Sequence, residues 1–161
     1  METLGNARPV LSFRLGRETY GVRLVAVREI FEPEYVQPVP GAPRVIRGLT
    51  DVRGRMVTVV DLPGLLGADV GTDTEGHMMI LAEPRDHLAL WSSGEIDLLN
   101  LDLANLEPLP GAESELEVVE GYARCESAIV HILSTEKIAL LCEREVLKRY
   151  RTAMPGAEAV V

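Results

Sequence analysis

The chain has 161 residues, of which 47% are hydrophobic and 25% are charged, a composition typical of one globular domain or of two small lobes. A chain of this length can bury enough surface to fold without a metal or disulfide framework. Its formal net charge of −9 argues against nucleic acid and anionic membrane surfaces as partners, because both would repel it.

Cysteine spacing and the N-terminus indicate a protein of the cytoplasm. Cys125 and Cys142 form no Cys-x-x-Cys pair, which argues against a zinc site and against a disulfide scaffold. The first ten residues lack the basic and apolar regions of a secretory signal. No run approaches the roughly 18 apolar residues that a membrane helix needs, so we expect no direct membrane contact.

A β-hairpin is the first predicted element. Residues 11–15 and 20–24 alternate apolar with polar side chains, and residues 16–19 between them have turn chemistry. Two alternating runs around a short turn predict paired antiparallel strands. The apolar pattern also allows the second strand to continue as far as Ile30.

A proline-rich connection and a second strand pair follow. Residues 32–43 contain four prolines, which block both a sheet ladder and a helix interior, so we predict an ordered loop. Residues 45–49 and 56–60 predict two strands joined by a tight turn. Residues 61–67 could form at most a short helical turn, and the polar residues 68–76 mark an expected boundary between lobes.

The second half repeats the pattern of short strands and ends in a helix. Residues 77–82, 88–91 and 128–133 are apolar strand candidates, and several short strands separated by turns suggest small β-barrels. Ser134 or Thr135 can cap a helix whose apolar residues recur at helical spacing. We expect a single domain over residues 1–161, with a first lobe at roughly 8–74, a second lobe at roughly 75–150 and a frayed tail at 154–161.

Signals for phosphate binding and nucleophilic catalysis are missing from the sequence. Gly16 and Gly21 have the opening spacing of a phosphate loop, but Val22 and Arg23 follow where Lys and Ser or Thr are required. The segment Ser92-Ser93-Gly94 lacks the first glycine of a nucleophile elbow. We therefore interpret residues 16–21 as a hairpin turn and predict no catalytic residue.

Metal ligation and acid–base catalysis are not indicated either. The three histidines are His77, His87 and His131. Their separations do not fit a metal-binding pair, so structural roles are favoured. The glutamates between Glu113 and Glu120 follow a Pro-Gly pair and are interpreted as a solvated acidic face. We predict no metal and no cofactor.

An ordered series of motifs runs through the first 62 residues. The motifs are Phe13-Arg14-Leu15-Gly16, Tyr20-Gly21-Val22, Val27-Arg28-Glu29-Ile30, Pro38-x-Pro40, Ile46-Arg47-Gly48 and Val52-Arg53-Gly54-x-x-Val57-x-x-Val60-Asp61-Leu62. In this order and spacing they resemble the N-terminal half of the chemotaxis coupling protein family, CheW. Fainter similarity at residues 101–110, 120–121, 128–133 and 136–137 extends the resemblance over roughly residues 10–150.

The chain departs from the family pattern at two places. It has Asp51-Val52-Arg53-Gly54 where family members usually carry Asn-Leu-Arg-Gly, and Ser92-Ser93-Gly94-Glu95 where they carry Val-Asp-x-Val. Because of the second departure, we carry over no contact of the second lobe from the family.

The resemblance implies an all-β fold of two intertwined SH3-like five-stranded barrels with a groove between them and a C-terminal α-helix. It implies a non-catalytic adaptor in the cytoplasm of a bacterium or archaeon, at membrane-associated receptor arrays. Its partners would be the cytoplasmic tip of a chemoreceptor and the regulatory domain of a CheA-type histidine kinase. The positions that match the family's coupling residues are Val27, Glu29, Gly48, Arg53 and Gly54.

Two alternatives remain open at this point. The altered segment at residues 92–95 is compatible with a specialised adaptor of a pilus, gliding or gene-regulatory pathway that has lost one partner interface. A small β-barrel enzyme or ligand-binding protein is the alternative from another class, with a site assembled from distant residues such as His77, Trp91 and Glu95.

Overall fold

The computed structural model describes residues 6–68, 75–108, 118–126 and 128–153. The expected frayed tail at 154–161 and the acidic residues 113–117 lie outside the described residues. The elements are β1 (Ala7–Leu15), β2 (Glu18–Arg23), β3 (Val27–Phe31), β4 (Ile46–Val52), β5 (Arg55–Asp61), α1 (Leu62–Leu66), β6 (Gly76–Leu81), β7 (Leu88–Ser93), β8 (Ile96–Asp102), β9 (Val119–Cys125), β10 (Ala128–Leu133) and α2 (Thr135–Ala153).

The ten strands form two five-stranded sheets. The first sheet has the order β8-β1-β2-β10-β9 and the second has the order β3-β6-β7-β5-β4. Neighbouring strands are antiparallel except for β10 with β2 and β5 with β7, which are parallel. The predicted all-β fold of two five-stranded lobes with a C-terminal helix is confirmed.

The lobes interleave along the chain. The first sheet takes strands from both ends of the chain, whereas the second takes all five from residues 27–93. We expected the first lobe to end near residue 74 and the second to begin near residue 75. The structure instead places β6 and β7, which follow residue 75, in the same sheet as β3, β4 and β5. A polar segment in the sequence does not say which strands will pair across it.

The predicted extension of the second strand to Ile30 is wrong. The strand ends at Arg23, and a 3-10 turn at Leu24–Ala26 carries the chain into the second sheet, where β3 begins. Val25 in this turn is 80% exposed. An apolar run therefore need not be a buried strand, since one of its members here faces solvent.

The described residues form three apolar core clusters. One lies inside the second sheet and includes Val57, Ile80 and Ala89, and another lies inside the first sheet around Val10 and Ile132. The largest cluster joins the two sheets and α2. In β6 and β7, successive residues belong alternately to the cluster inside the second sheet and to the cluster between the sheets. Both faces of these two strands are therefore apolar.

The C-terminal helix packs on the cluster between the sheets. The hydroxyl of Ser134 accepts a hydrogen bond from the amide of Lys137 at 3.1 Å, which is the predicted N-terminal cap. Among helix residues 135–148, Ile138, Ala139 and Cys142 are buried. Neither described helix has the length and apolar character required to cross a membrane.

Candidate partner-binding site

Arg53 and Gly54 form the two-residue turn between β4 and β5. Val52 pairs with Arg55 across the turn, and the φ angles of Arg53 and Gly54 are 50° and 85°. Two positive φ angles are typical of a type I′ turn, which favours Asn, Asp and Gly. An arginine in the left-handed region costs about 1 kcal/mol or more, so turn geometry does not explain why Arg53 stands here.

The carboxylate of Asp51 completes this turn. Its Oδ1 accepts a hydrogen bond from the amide of Gly54 at 2.8 Å. An asparagine side chain offers an oxygen at the same place, so Asp51 can replace the family's usual asparagine without loss of this bond. The first departure from the family pattern therefore leaves the turn intact.

The structure brings Glu29 and Arg53 together. Nη2 of Arg53 donates a hydrogen bond to Oε1 of Glu29, and the two side chains form an ion pair. Arg53 is 71% exposed and Glu29 is 31% exposed. β3 and β4 are the outer strands of the second sheet. The ion pair between Glu29 in β3 and Arg53 at the end of β4 therefore connects the two edges of this sheet.

Val27 lies apart from this pair because β3 contains an irregularity. Val27 pairs with Leu81, but Glu29 pairs with Ile80, so the register shifts between them. An extra residue of this kind turns neighbouring side chains to different faces. Val27 packs against the core cluster between the sheets, whereas Glu29 borders a pocket with Ile80. Strict alternation would have placed Val27 and Glu29 on one face.

Gly48 allows the proline-rich loop to approach β4. Its φ is +152°, and an added Cβ would lie 2.8 Å from the carbonyl carbon of Gln37 and closer still to its oxygen. Gln37 and Leu49 exchange backbone hydrogen bonds of 2.7 and 2.9 Å. Gly48 therefore shapes the neighbouring segment through close backbone packing.

Three further charged residues that the sequence did not single out as site residues complete the surface. Nη1 of Arg55 donates to Oδ2 of Asp86 at 3.0 Å, and Nη1 of Arg28 lies 3.3 Å from the same oxygen. The hydrogen bond from Arg55 is the main cause that lowers the pKa of Asp86. Arg28 stands inside a quoted motif, but Asp86 lies between β6 and β7, and only the folded chain brings it here.

We call this set the arginine surface. It surrounds a pocket of about 160 Å³ whose apolar lining is Val52, Val57 and Ile80. The charged residues of the arginine surface are Arg28, Glu29, Arg53, Arg55 and Asp86.

His77, Trp91 and Glu95 also lie together, in a cleft of about 500 Å³. The ring of Trp91 is buried, and the guanidinium of Arg47 stacks on it at 3.5 Å. His77 Nδ1 lies 3.0 Å from the carbonyl oxygen of Gly94. Among the described lining residues there is no Ser, Thr, Cys or Lys to act as a nucleophile, and the described residues include no group suited to hold a metal ion.

Comparisons with known proteins agree with the motif series. A family model for the CheW-like domain matches residues 9–141. Chemotaxis protein CheW of Rhizobium meliloti (strain 1021) is 26% identical over 141 residues, covering 86% of this chain and 91% of the relative. Chemotaxis protein CheW of Klebsiella aerogenes is 29% identical over 140 residues, covering 85% of this chain and 83% of the relative.

A solved structure has the same fold. The crystal structure of scaffolding protein TtCheW from Thermoanaerobacter tengcongensis superposes with a TM-score of 0.70 at 22% identity, covering 80% of this chain and 89% of that chain. The resemblance found in the motifs is thereby confirmed, and the enzyme alternative is not supported. The chain belongs to the CheW-like domain family, as a non-catalytic adaptor of chemotaxis signalling.

Proposed function

We propose that this protein couples the cytoplasmic tips of chemoreceptors to the regulatory domain of a CheA-type histidine kinase in the cytoplasm. Its contribution is positioning, since an adaptor without catalytic groups acts by holding two partners near each other. Weak contacts suffice for this in an array, because each tethered contact raises the effective concentration for the next. Family membership supports the proposal.

The observation that carries the proposal is the exposed guanidinium of Arg53 at a strained turn. Such strain persists where a side chain is needed at that place, and a planar guanidinium can form paired hydrogen bonds with a partner. Glu29 holds it from β3, and Gly54 adopts the positive φ angle that the second position of the turn requires. In this proposal Val27 supports β3 from the core, and Gly48 holds the adjoining loop.

Calorimetric titration with a receptor-tip fragment and with the kinase regulatory domain tests the proposal. We expect saturable binding of both. Arg53→Asn should bind at least one partner about tenfold or more weakly, because a charge-assisted hydrogen bond contributes roughly 1.5–3 kcal/mol. Asparagine tolerates positive φ, so this variant removes the guanidinium without straining the turn. Arg17→Asn, in the exposed turn between β1 and β2, is the matched control.

The outcomes separate the function from the site. Binding of neither partner would contradict the coupling role. Binding of one partner alone would instead support the specialised adaptor that has lost an interface. If both partners bind Arg53→Asn as tightly as the unaltered chain, the coupling role stands and Arg53 is not part of the contact.

A further inference from the structure

We infer that residues 157–161, which follow α2 in the sequence, dock in an apolar groove between this helix and the second sheet of the same chain. Three observations carry this assignment: a groove that the described residues leave open, the apolar composition of the segment, and a length that matches the distance to be covered. The docking is independent of the proposed coupling role, and it replaces the frayed tail expected from the sequence.

The groove runs along one face of α2 and has a volume of about 410 Å³. Strands β4, β5 and β7 form one wall, and the helix forms the other. The helix residues recur at i, i+3, i+4, i+7 and i+8, which places them on one face; they are Ala139, Cys142, Glu143, Val146 and Leu147. Among the described lining residues Glu143 alone carries a charge, and it is already paired with Arg85. An apolar occupant therefore fits this groove.

The floor of the groove is buried, but its rim is exposed. Leu88, Ala139 and Cys142 of the floor are almost fully buried. Val146 and Leu147 at the rim are 47% and 55% exposed. Removal of adjacent aliphatic side chains from water is favourable, so a segment that covers this rim stabilises the folded chain.

The sequence after α2 has the composition to cover the rim. Pro155 and Gly156 come first; proline does not continue a helix, and a Pro-Gly pair favours a turn. Residues 157–161 then read Ala-Glu-Ala-Val-Val. Four of these five residues are apolar, so the segment can exclude water from an apolar groove.

The length of the segment matches the distance back to the rim. Four extended residues after Gly156 span about 13 Å, since an extended chain advances about 3.3 Å per residue. A helix rises about 1.5 Å per residue, so this span corresponds to about nine helical positions. A segment that returns along α2 therefore brings Val160 to the level of Leu147. Because the segment is tethered beside the groove, its local concentration there is high and weak apolar contacts can hold it.

Backbone order parameters of the full chain, measured by NMR relaxation, test the docking. We expect about 0.85 for the amides of residues 158–160, as in rigid backbone, against less than about 0.6 for a flexible segment. Val146→Asp places a charge at the rim and should lower these order parameters below about 0.6. Leu140→Asp is the matched control, because Leu140 is a 51% exposed apolar residue of α2 that does not line the groove. It should leave the segment ordered.

Disulfide trapping tests which residues meet. In a Cys125→Ser background, Val160→Cys is combined with Leu147→Cys at the rim or with Leu140→Cys outside the groove. Docking should make the intramolecular disulfide to position 147 form about tenfold or more faster than that to position 140. A flexible segment would favour position 147 only about twofold, because loop closure falls with the 3/2 power of length and the separations are 13 and 20 residues.

Each contrary result has a definite meaning. Low order parameters at residues 158–160 in the unaltered chain would overturn the docking, and this measurement holds even if Val146→Asp fails to fold. Trapping rates that differ only about twofold would also contradict it. Disulfide-linked dimers in place of the intramolecular bond would assign the groove to a second copy of the chain and disprove the assignment to residues 157–161. The binding titrations of the coupling role are unaffected by any of these outcomes.

Discussion

Two arginines that precede glycines in the same hairpin have different roles at the scale of single residues. Arg47 stacks on Trp91 at 3.5 Å and lies 3.4 Å from Asp61, so neighbouring strands of its own sheet hold it. Arg53 stands on the exposed turn and contacts Glu29. The Arg-Gly pattern is the same in both places. The Arg47 side chain is 26% exposed and the Arg53 side chain is 71% exposed, and this difference separates a packing role from the proposed recognition role.

The thiol of Cys142 should be unreactive toward thiol reagents in the folded protein. Burial is the main cause that raises the pKa of its thiol to about 11, and only the thiolate reacts readily. At pH 8 we expect a disulfide reagent to modify one thiol rapidly, that of the partly exposed Cys125. Cys142 should react only as the protein unfolds.

The variant Cys125→Ser provides the control for this experiment. It should abolish the rapid phase and leave the slow one. Two rapidly reacting thiols in the unaltered chain would show that the cluster around Cys142 opens to solvent.

At the scale of elements, the proline-rich loop is held to β4 by backbone contacts. Gln37 and Leu49 form an isolated bridge, and the hydroxyl of Thr50 donates to the carbonyl of Tyr35 at 2.7 Å. Gly48 makes this approach possible because it has no side chain in the way. The loop beside the arginine surface therefore depends on one glycine in the neighbouring strand.

Gly48→Ala should lower the free energy of unfolding by about 3–4 kcal/mol. Backbone strain at positive φ costs about 1–2 kcal/mol, and displacement of Gln37 sacrifices two hydrogen bonds of about 1 kcal/mol each. Urea denaturation measures the loss. Gly41→Ala is the matched control, because its φ is +81° but nothing lies within 4 Å of the added Cβ. Equal losses in the two variants would mean that strain alone, without the clash, accounts for the effect.

At the scale of the whole molecule, one arginine ties the C-terminal helix to the second sheet. Nη2 of Arg85 donates to Glu136 at 2.6 Å, and Nη1 donates to Glu143 at 2.5 Å. The two glutamates are seven residues apart on α2 and so share one face of the helix. Arg85 lies between β6 and β7, so the bonds link an element near the end of the chain to its middle.

Acid should weaken this link. The hydrogen bond from Arg85 is the main cause that lowers the pKa of Glu136 below its ordinary value of 4.5. A carboxylate whose pKa is lowered by folding contributes stability above its unfolded pKa, and the contribution disappears as the pH falls through the folded pKa. We expect the free energy of unfolding to change little near neutral pH and to fall below about pH 4.5.

Substitution of Glu136 isolates its share of the acid response. Glu136→Gln should be less stable than the unaltered chain at pH 7, and the difference should shrink as the pH falls below 4.5 and through the lowered pKa of Glu136. Chemical denaturation at several pH values measures both. Glu34→Gln, in the exposed part of the proline-rich loop, should follow the unaltered chain. A pH-independent difference for Glu136→Gln would show that its charge does not stabilise the helix.

Strands with clear alternation or a continuous apolar run were predictable, and strands with mixed patterns were not. The β1–β2 hairpin, the β4–β5 hairpin, β6, β7, β10 and the start of α2 were all recognised from local patterns. β8 and β9 were missed. Exposed Leu98 breaks the alternation of β8, and Gly121 interrupts β9, where an added Cβ would meet the backbone of Glu107. The pairing of β8 with β1, a strand far away in the sequence, cannot be recognised from local periodicity.

The sequence by itself determined the fold class, the family and the residues at the hairpin turns, because period-two alternation, turn chemistry and motif order are local properties of the chain. The tertiary structure alone decided which strands share a sheet, that Val27 and Glu29 part at the irregularity in β3, and that Asp86 joins Arg28 and Arg55. The physical reason is that pairing of distant strands and meeting of distant charges depend on how the two sheets curl and pack, and no local pattern encodes that arrangement.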